Sequence, residues 1–435
     1  MRGRQGKRRA TRGGVLTRNA LTAITAAIVS IGTELTRGEL VDTNAAWLSD
    51  ELTALGLDVI LRVTVDDDGQ RIIEALNHAA SKATFVICTG GLGPTTDDVT
   101  TLAAARALGV ELVRDEASVR AIERRFASIG RSMSPSNLKQ ADFPDGATIL
   151  PNPIGTAPGF AIDLGGARCF FTPGVPREMK QLFADHMTPA IQVSASRTTH
   201  QIRLRSFGLP ESEVGERLAG LEDEEPGLFL GYRASFPEIE VKVLVRAATE
   251  AEAQSTAERI AEKVRARLGD AVYGEGDDTL AGYVGRTLRD RGLTLSLAES
   301  CTGGLVGQLI TSVPGSSEYL MLDAVTYSNA SKIRLLGVAE DDLRAYGAVS
   351  EEVACAMAEG ALRIGESSLA VSITGIAGPG GGSEDKPVGT VWLALAKKGH
   401  RATAQRLLLS GNRDWIRTRA AYHALRWIAD VAKER

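Results

Sequence analysis

The sequence predicts an α/β protein with more than one domain, on the strength of three observations. Its 435 residues exceed one ordinary domain, which holds roughly 150 residues. Its composition, 43% hydrophobic and 24% charged, is typical of globular proteins that bury sizeable cores. Short apolar segments alternate with amphipathic segments from Ala26 onward. This alternation is typical of parallel sheets covered by helices on both faces.

The first residues carry positive charge and precede the predicted fold. Six basic side chains and no acidic one lie among the first fourteen residues: Arg2, Arg4, Lys7, Arg8, Arg9 and Arg12. Without these six, 44 basic residues remain against 54 acidic ones, so the rest of the chain has a formal charge of −10. We expect residues 1–22 to form a disordered basic tail, with nucleic-acid contact a minor alternative because the tail is short.

No membrane segment or disulfide framework is expected. The apolar segment 21–31 is better explained as a first strand than as a secretory signal, and no run reaches the roughly eighteen apolar residues of a membrane span. The four cysteines are far apart, lie in or beside apolar segments and form no Cys-x-x-Cys pair: Cys88, Cys169, Cys301 and Cys355. We therefore expect reduced thiols, no structural zinc and a cytoplasmic protein.

The first domain is predicted to contain a glycine-rich loop at a strand end. Strands are predicted over 26–31, 59–63 and 85–89, and helices over 43–55, 70–83 and 99–108. The loop 89–98 lacks the Gly-Lys-Ser/Thr of a Walker A motif and the third glycine of a dinucleotide fingerprint. The candidate phosphate-binding residues are Gly90, Gly91 and Gly93, and the candidate ligands of a divalent cation such as Mg²⁺ are Asp97 and Asp98. Capping of the next helix is the commoner role for such an Asp pair.

A small α+β unit is predicted after residue 178. Strands over 202–207 and 239–245 and a helix over 250–268 support it. The acidic segment 222–226 and the lack of a Gly-x-x-Gly clamp argue against RNA binding. We expect a structural connector.

The segment 298–304, Ala-Glu-Ser-Cys-Thr-Gly-Gly, places a hydroxyl where a predicted strand meets a predicted helix. Gly303 and Gly304 have no Cβ, so a ligand can approach the backbone, and the first N–H groups of the helix are free to bind an anion or a carbonyl oxygen. Ser300 is therefore a candidate nucleophile, with Thr302 beside these glycines as a substrate-binding candidate. Cys301 is a weaker alternative, because its side chain should point away from that of Ser300.

Two further segments add polar groups at strand ends. In 325–332 a strand is predicted to end at Tyr327, Asn329 to cap a helix and Lys332 to lie in its first turn. The helix dipole and partial burial would lower the pKa of this lysine, which suits a base. A strand predicted over 369–373 leads into the loop 374–382, which begins with Thr374 and whose glycines, Gly375 and Gly378 among them, expose backbone N–H groups. Strand ends of a parallel sheet share one crevice, so the set favours a serine–lysine amide hydrolase.

These segments together resemble the competence/damage-inducible CinA family. The likeness rests on 298–304, 326–332, 374–382 and 387–391 for the C-terminal half, and on 32–34, 89–100, 149–159 and 172–179 for the N-terminal half. The resemblance implies a three-layer αβα molybdopterin-binding-like domain over 23–177, a KH-like α+β connector over 178–273 and an αβα deamidase domain over 274–435.

The resemblance also implies a reaction and its residues. The C-terminal domain would convert nicotinamide mononucleotide to nicotinic acid mononucleotide and ammonia without a cofactor. Ser300 would be the nucleophile, Lys332 and Tyr327 its proton-transfer partners, and Thr374 with Gly375 part of the carboxamide environment.

The N-terminal domain would act on ADP-ribose as a metal-dependent pyrophosphatase, and the protein would be a homodimer. The alternatives are molybdopterin handling, a fold-level analogy, and a nucleotide-binding or competence-related protein without turnover.

Overall fold

The computed structural model describes residues 24–194 and 198–433, which form two compact units. One unit comprises the described residues up to Thr199 together with Arg246–Ala253, and the other comprises His200–Val245 and the residues from Gln254 onward. The predicted basic tail lies outside the described residues, and the domain boundaries at 178 and 274 stay predictions. None of the helices in the described ranges has both the length and the hydropathy of a membrane span.

The first unit is built on a six-stranded sheet. The strands of the whole unit are β1 (Thr25–Ile31), β2 (Asp58–Val65), β3 (Phe85–Thr89), β4 (Leu112–Arg114), β5 (Asp142–Pro144), β6 (Thr148–Leu150), β7 (Gly159–Leu164) and β8 (Ala167–Thr172). The order in the six-stranded sheet is β2-β1-β3-β8-β7-β6, in which the first four strands are parallel and β7 is antiparallel to both of its neighbours, β8 and β6. β4 and β5 pair separately.

Helices cover both faces of this sheet. They are α1 (Thr33–Thr36), α2 (Thr43–Ala54), α3 (Gly69–Ala80), α4 (Thr100–Leu108), α5 (Glu116–Ser128), α6 (Pro176–Leu182) and α7 (Thr188–Ser194), with a 3-10 turn at Pro135–Ala141 and a π turn at Phe183–Met187. In β1, Ala26 and Ile28 pack with α2, whereas Ala27 and Val29 pack with α3. Alternate side chains therefore fill two cores, which confirms the three-layer αβα prediction.

The connector is a four-stranded sheet with two helices. Its elements are β9 (Thr198–Ser206), α8 (Glu211–Leu218), β10 (Leu228–Ser235), β11 (Glu238–Ala247), α9 (Glu250–Leu268) and β12 (Val272–Glu275), with sheet order β10-β11-β9-β12. Phe207 and Tyr273 belong to the same apolar core as the C-terminal helix, and the Phe207 ring lies 5.5 Å from that of Tyr422. The connector thus packs against the last domain.

The C-terminal domain repeats the three-layer design around five strands. Its elements are α10 (Leu280–Asp290), β13 (Leu295–Glu299), α11 (Leu305–Thr311), β14 (Leu320–Val325), α12 (Asn329–Ser331), α13 (Glu340–Tyr346), α14 (Glu351–Gly365), β15 (Leu369–Gly375), β16 (Thr390–Lys397), β17 (Thr403–Leu408) and α15 (Arg413–Lys433). Leu297 faces the core with α10 and α15, and Ala298 faces the core with α14.

The strand order places the candidate residues at one edge. The order is β14-β13-β15-β16-β17, and β14, β13 and β15 are parallel. Ser300 and Lys332 lie in the segments after the carboxyl ends of β13 and β14, and Thr374 lies near the carboxyl end of β15. Two predicted ends were wrong by two residues, because β14 ends at Val325 and not at Tyr327, and β15 ends at Gly375 and not at Ile373.

Candidate active site

Ser300 lies in a tight turn directly after strand β13. Its N–H donates to the carbonyl of Ile373 at 2.9 Å, and its own carbonyl accepts from the N–H of Gly303 at 3.1 Å. Gly303 and Gly304 have φ values of 65° and 90°, which side chains with a Cβ rarely adopt. The turn therefore needs these glycines, and it leaves Ser300 9% exposed at the edge of the sheet.

Lys332 contacts the Ser300 hydroxyl. Its Nζ donates to Ser300 Oγ at 3.0 Å and to the carbonyl of Thr326 at 2.7 Å. The lysine is 1% exposed, and no acidic side chain of the described ranges forms an ion pair with it. Burial lowers the pKa of Lys332, and the nearby Cys301 thiol opposes this shift. A lysine amine with a lowered pKa beside a hydroxyl is the arrangement of a base and its nucleophile.

A short helical segment places this lysine. Ser328, and not the predicted Asn329, is the N-cap of α12, and its Oγ accepts from the N–H of Ser331 at 3.1 Å. Lys332 begins a π turn, Lys332–Leu336, that ends at Gly337 with a φ of 74°. Because α12 has only three residues, burial outweighs the helix dipole in lowering the pKa of the amine.

Cys301 is packed away from the site. It belongs to the apolar core between the sheet and α15, and burial raises the pKa of its thiol to about 12. A protonated thiol is a weak nucleophile. The geometry therefore favours Ser300.

Tyr327 lies at the rim of the site. It is 61% exposed, and its hydroxyl accepts a hydrogen bond from Arg413 at 3.0 Å. Arg413 also donates to the carbonyl of Gly378 at 2.7 Å. In the part of the chain that the structure describes, no hydrogen bond joins Tyr327 to Ser300 or Lys332. Proton transfer through Tyr327 stays a prediction, whereas its pairing with Arg413 was not foreseen.

The last residues of β15 and the loop after it have roles in packing. Thr374 donates its hydroxyl to the carbonyl of Ala348 at 2.8 Å. A Cβ on Gly375 would lie 2.7 Å from a Val391 methyl group, and one on Gly378 would lie 2.6 Å from Val388. These contacts explain why the positions need a small residue, and they leave the predicted carboxamide-binding role untested.

The backbone of the Ser300 turn offers hydrogen-bond donors. Within the described residues, the N–H groups of Cys301 and Thr302 donate to no carbonyl oxygen, and both face the Cys301 sulfur, where they lower the pKa of the thiol against the larger effect of burial. The Thr302 side-chain hydroxyl is buried and lacks a partner, while the Thr302 carbonyl accepts from Arg417 at 2.8 Å. Sequence reasoning missed Arg417, although its spacing of four residues from Arg413 puts both on one face of α15.

In the N-terminal glycine loop, neighbouring groups pack so close to the backbone that a side chain would not fit. Gly90 has a φ of 112°, and a Cβ there would lie 2.0 Å from the carbonyl oxygen of Ile31. A Cβ on Gly91 would meet the Thr100 hydroxyl at 2.1 Å, and one on Gly93 would meet the Asp98 carboxylate at 2.4 Å. Glycine is therefore required by packing, and phosphate binding at these residues stays a prediction.

The two aspartates of this loop accept hydrogen bonds from Thr95. The Thr95 hydroxyl donates to Asp97, and this bond lowers the pKa of the Asp97 carboxyl. Asp98 Oδ2 accepts the Thr95 N–H at 2.8 Å. The alternative of helix capping is wrong, because Val99 is the N-cap of α4 and no side chain caps it.

A cation at Asp97 and Asp98 would depend on its substrate. Among the described residues, no three His, Cys, Asp or Glu side chains are grouped as metal ligands. Mg²⁺ is commonly held by one or two carboxylates together with substrate phosphates. Asp97 and Asp98 fit this kind of site, in which a substrate phosphate completes the coordination. The metal site stays a prediction.

The fold and the site define a three-part α/β protein with a molybdopterin-binding-like N-terminal domain, a KH-like connector and a C-terminal α/β domain with a buried serine–lysine pair. Three family models match: the probable molybdopterin binding domain over 27–193, the damage-inducible protein CinA KH domain over 201–274 and the CinA C-terminal domain over 277–432. The chain belongs to the CinA family.

Relatives match along most of the chain. A CinA-like protein of Geobacter sulfurreducens is 46% identical over 404 residues, covering 92% of this chain and 98% of that protein. A putative competence-damage inducible protein of Symbiobacterium thermophilum is 43% identical over 412 residues, covering 92% and 97%. A crystal structure of CinA from Thermoplasma acidophilum is 35% identical, covers 39% of this chain and 98% of that one, and has a TM-score of 0.37.

Proposed function

We propose that the C-terminal domain is a nicotinamide-nucleotide amidohydrolase that converts nicotinamide mononucleotide to nicotinic acid mononucleotide and ammonia. The observation that carries this proposal is the buried Lys332 amine 3.0 Å from the Ser300 hydroxyl. An amine without a carboxylate partner and with a lowered pKa is suited to take up the serine proton.

The first half-reaction forms an acyl-enzyme. Ser300 Oγ attacks the carboxamide carbon while its proton passes to Lys332 Nζ. The N–H groups of Cys301 and Thr302 donate to the resulting oxyanion, as donors beside a nucleophile do in acyl transfer. The C–N bond then breaks, Lys332 returns the proton to the leaving nitrogen, and ammonia departs.

The second half-reaction regenerates the serine. Lys332 Nζ accepts a proton from a water molecule, which attacks the acyl carbon. The C–O bond to Ser300 breaks and the serine oxygen regains a proton from Lys332. The carboxylic acid product leaves, and the pair is restored.

Arg413 is suited to bind the substrate phosphate. It is exposed at the start of α15, beside Tyr327 at the rim of the site. A guanidinium recognises phosphate with two parallel hydrogen bonds, and Arg417 one helical turn away adds positive charge. This placement favours a nucleotide over a free amide.

The test is ammonia release from nicotinamide mononucleotide by the purified chain in the presence of a chelator. We expect turnover to fall by about 10³-fold or more in Ser300→Ala, because the covalent step is lost. Cys301→Ala is the matched control, since it removes a neighbouring buried group and should cost about 1 kcal/mol of stability with little change in kcat. Wild-type turnover in a folded Ser300→Ala variant would refute the assignment.

A second candidate activity is ADP-ribose pyrophosphate cleavage in the N-terminal domain. The close-packed backbone of Gly90 and Gly91 and the two adjacent carboxylates of Asp97 and Asp98 favour it. It should require added Mg²⁺ and fall in Asp98→Asn. If ligands raise the melting temperature but no product forms in either assay, the binding-only alternative gains support over both activities.

A further inference from the structure

Glu299, the residue before Ser300, is a fully buried carboxylate at the start of α11. Its Oε2 accepts the N–H of Gly304 at 2.9 Å, and its Oε1 accepts the N–H of Gly307 at 2.8 Å. The side chain is 0% exposed. Because the first N–H groups of a helix have no intrahelical acceptor, this carboxylate satisfies two of them and complements the helix dipole.

These hydrogen bonds close a loop around the nucleophile. The backbone of Glu299 is fixed in β13, where it pairs with Val325 and Ile373. Its side chain fixes Gly304, which follows Ser300 by four residues, so the N–H groups of Cys301 and Thr302 lie between the two fixed points. One side chain thus determines both ends of the turn that presents the nucleophile.

A second, half-buried carboxyl group lies beside the first. Asp323 on β14 pairs in register with Leu297, so it is a diagonal neighbour of Glu299 on the same face of the sheet. Asp323 Oδ1 is buried without a hydrogen-bond partner, and a Cβ on Gly307 would lie 1.9 Å from Asp323 Oδ2. Gly307 therefore gives Asp323 the space to approach α11.

The surroundings of this pair supply little positive charge. No ion pair within the described ranges involves Glu299 or Asp323, and α11 contains no ionisable side chain. The Lys332 amine donates to Ser300 and to the Thr326 carbonyl, and the Cys301 thiol is protonated.

The charged groups near the start of β14 do not add net positive charge around Glu299 and Asp323. There Glu318 lies 4.0 Å from Arg289, which compensates it. Partial burial and repulsion by the Glu299 carboxylate both disfavour a negative charge on Asp323. Burial and the Glu299 charge raise the pKa of Asp323 to about 7.

We propose that Glu299 is a positioning residue for Ser300 and that Asp323, in its protonated form, keeps the Glu299 carboxylate in place under the nucleophile turn. Its catalytic consequence rests on the proposed amidohydrolase function. When Asp323 ionises, its negative charge repels the Glu299 carboxylate. The hydrogen bonds that this carboxylate accepts from the N–H groups of Gly304 and Gly307 then weaken. The geometry of the turn therefore depends on pH through the Glu299–Asp323 pair.

The first test replaces Glu299 by glutamine. The amide retains one acceptor oxygen, so one of the two N–H groups loses its partner. We expect kcat to fall by about 10- to 100-fold at unchanged KM, and hydrogen exchange at Gly304 and Gly307 to accelerate. Wild-type kcat with wild-type protection of both amides would overturn the positioning role.

The second test replaces Asp323 by asparagine, which is neutral at every pH and close to isosteric. Ionisation of Asp323 should lower wild-type kcat/KM as the pH rises through about 7, and this decline should be absent in Asp323→Asn. Asp290→Asn, on the exposed side of α10, is the control and should retain it. A decline that persists in Asp323→Asn would refute the proposal.

Thermal melting gives a measurement that needs no turnover. A carboxyl group with a raised pKa keeps its proton in the folded state after the unfolded chain has lost it, so stability falls between about pH 4 and pH 7. This slope should be smaller in Asp323→Asn than in wild type, and an equal slope would contradict the model. If the protein lacks deamidase activity, melting and hydrogen exchange still decide this inference separately.

Discussion

Replacing Lys332 by methionine should abolish base catalysis while preserving the fold. Methionine fills nearly the same volume without Nζ, so Ser300 Oγ and the Thr326 carbonyl each lose a donor that now lies at 3.0 and 2.7 Å. A positioned general base contributes about 10²- to 10⁴-fold in rate, or about 3 to 5 kcal/mol of barrier. We expect kcat to fall by that factor with KM within a factor of a few of wild type.

The same variant should change the pH dependence of stability. Burial lowers the pKa of Lys332, so above its folded pKa the native state has lost a proton that the unfolded chain still binds. Wild-type stability should therefore rise with pH, through the interval between the lowered pKa and about 10.4, the ordinary lysine value. Lys332→Met should lose this rise, because it has no amine to titrate.

The assay combines ammonia release with thermal melting at several pH values. Lys263→Met is the matched control, because Lys263 makes a partly exposed ion pair with Glu224 in the connector and should affect neither readout by much. Wild-type kcat in Lys332→Met would refute the role of the amine as base. A pH profile of melting identical to wild type would refute its buried, low-pKa state.

Two further predictions concern substrate binding and the N-terminal loop. Arg413→Ala should raise KM for nicotinamide mononucleotide by about 10- to 100-fold, the worth of charge-assisted hydrogen bonds, and should leave KM for the phosphate-free riboside nearly unchanged; equal effects on both would contradict phosphate binding. Gly90→Ala should destabilise the first unit by more than about 2 kcal/mol in urea unfolding, since its Cβ would lie 2.0 Å from a backbone oxygen. Gly109→Ala, at a φ of 72° with open space around it, should cost only about 1 kcal/mol, and equal losses in the two variants would refute the packing argument.

Local patterns in the sequence predicted most of the architecture. The alternation of apolar and amphipathic segments is sufficient for the three-layer domains, because side-chain periodicity decides which faces are buried. Glycines mark the turns at 90–91 and 303–304, where the backbone has positive φ. Boundaries such as the end of β14 and the Ser328 cap differ by one or two residues, since neighbouring polar residues compete for the same capping role.

The sequence by itself determined which residues reach the edge of the C-terminal sheet, because parallel strands bring their carboxyl ends together. Only the tertiary structure decided how they meet. Lys332 is 32 residues from Ser300 in the chain, and its contact and burial depend on packing around a π turn that no local pattern specifies. The same is true of Tyr327, which the fold leaves at the rim with Arg413, and of Glu299, whose two acceptor bonds depend on the path of the chain after it. Hydrogen-bond partners and desolvation are properties of the packed chain. They therefore decide the pKa values and contacts of residues that the sequence can only identify as candidates.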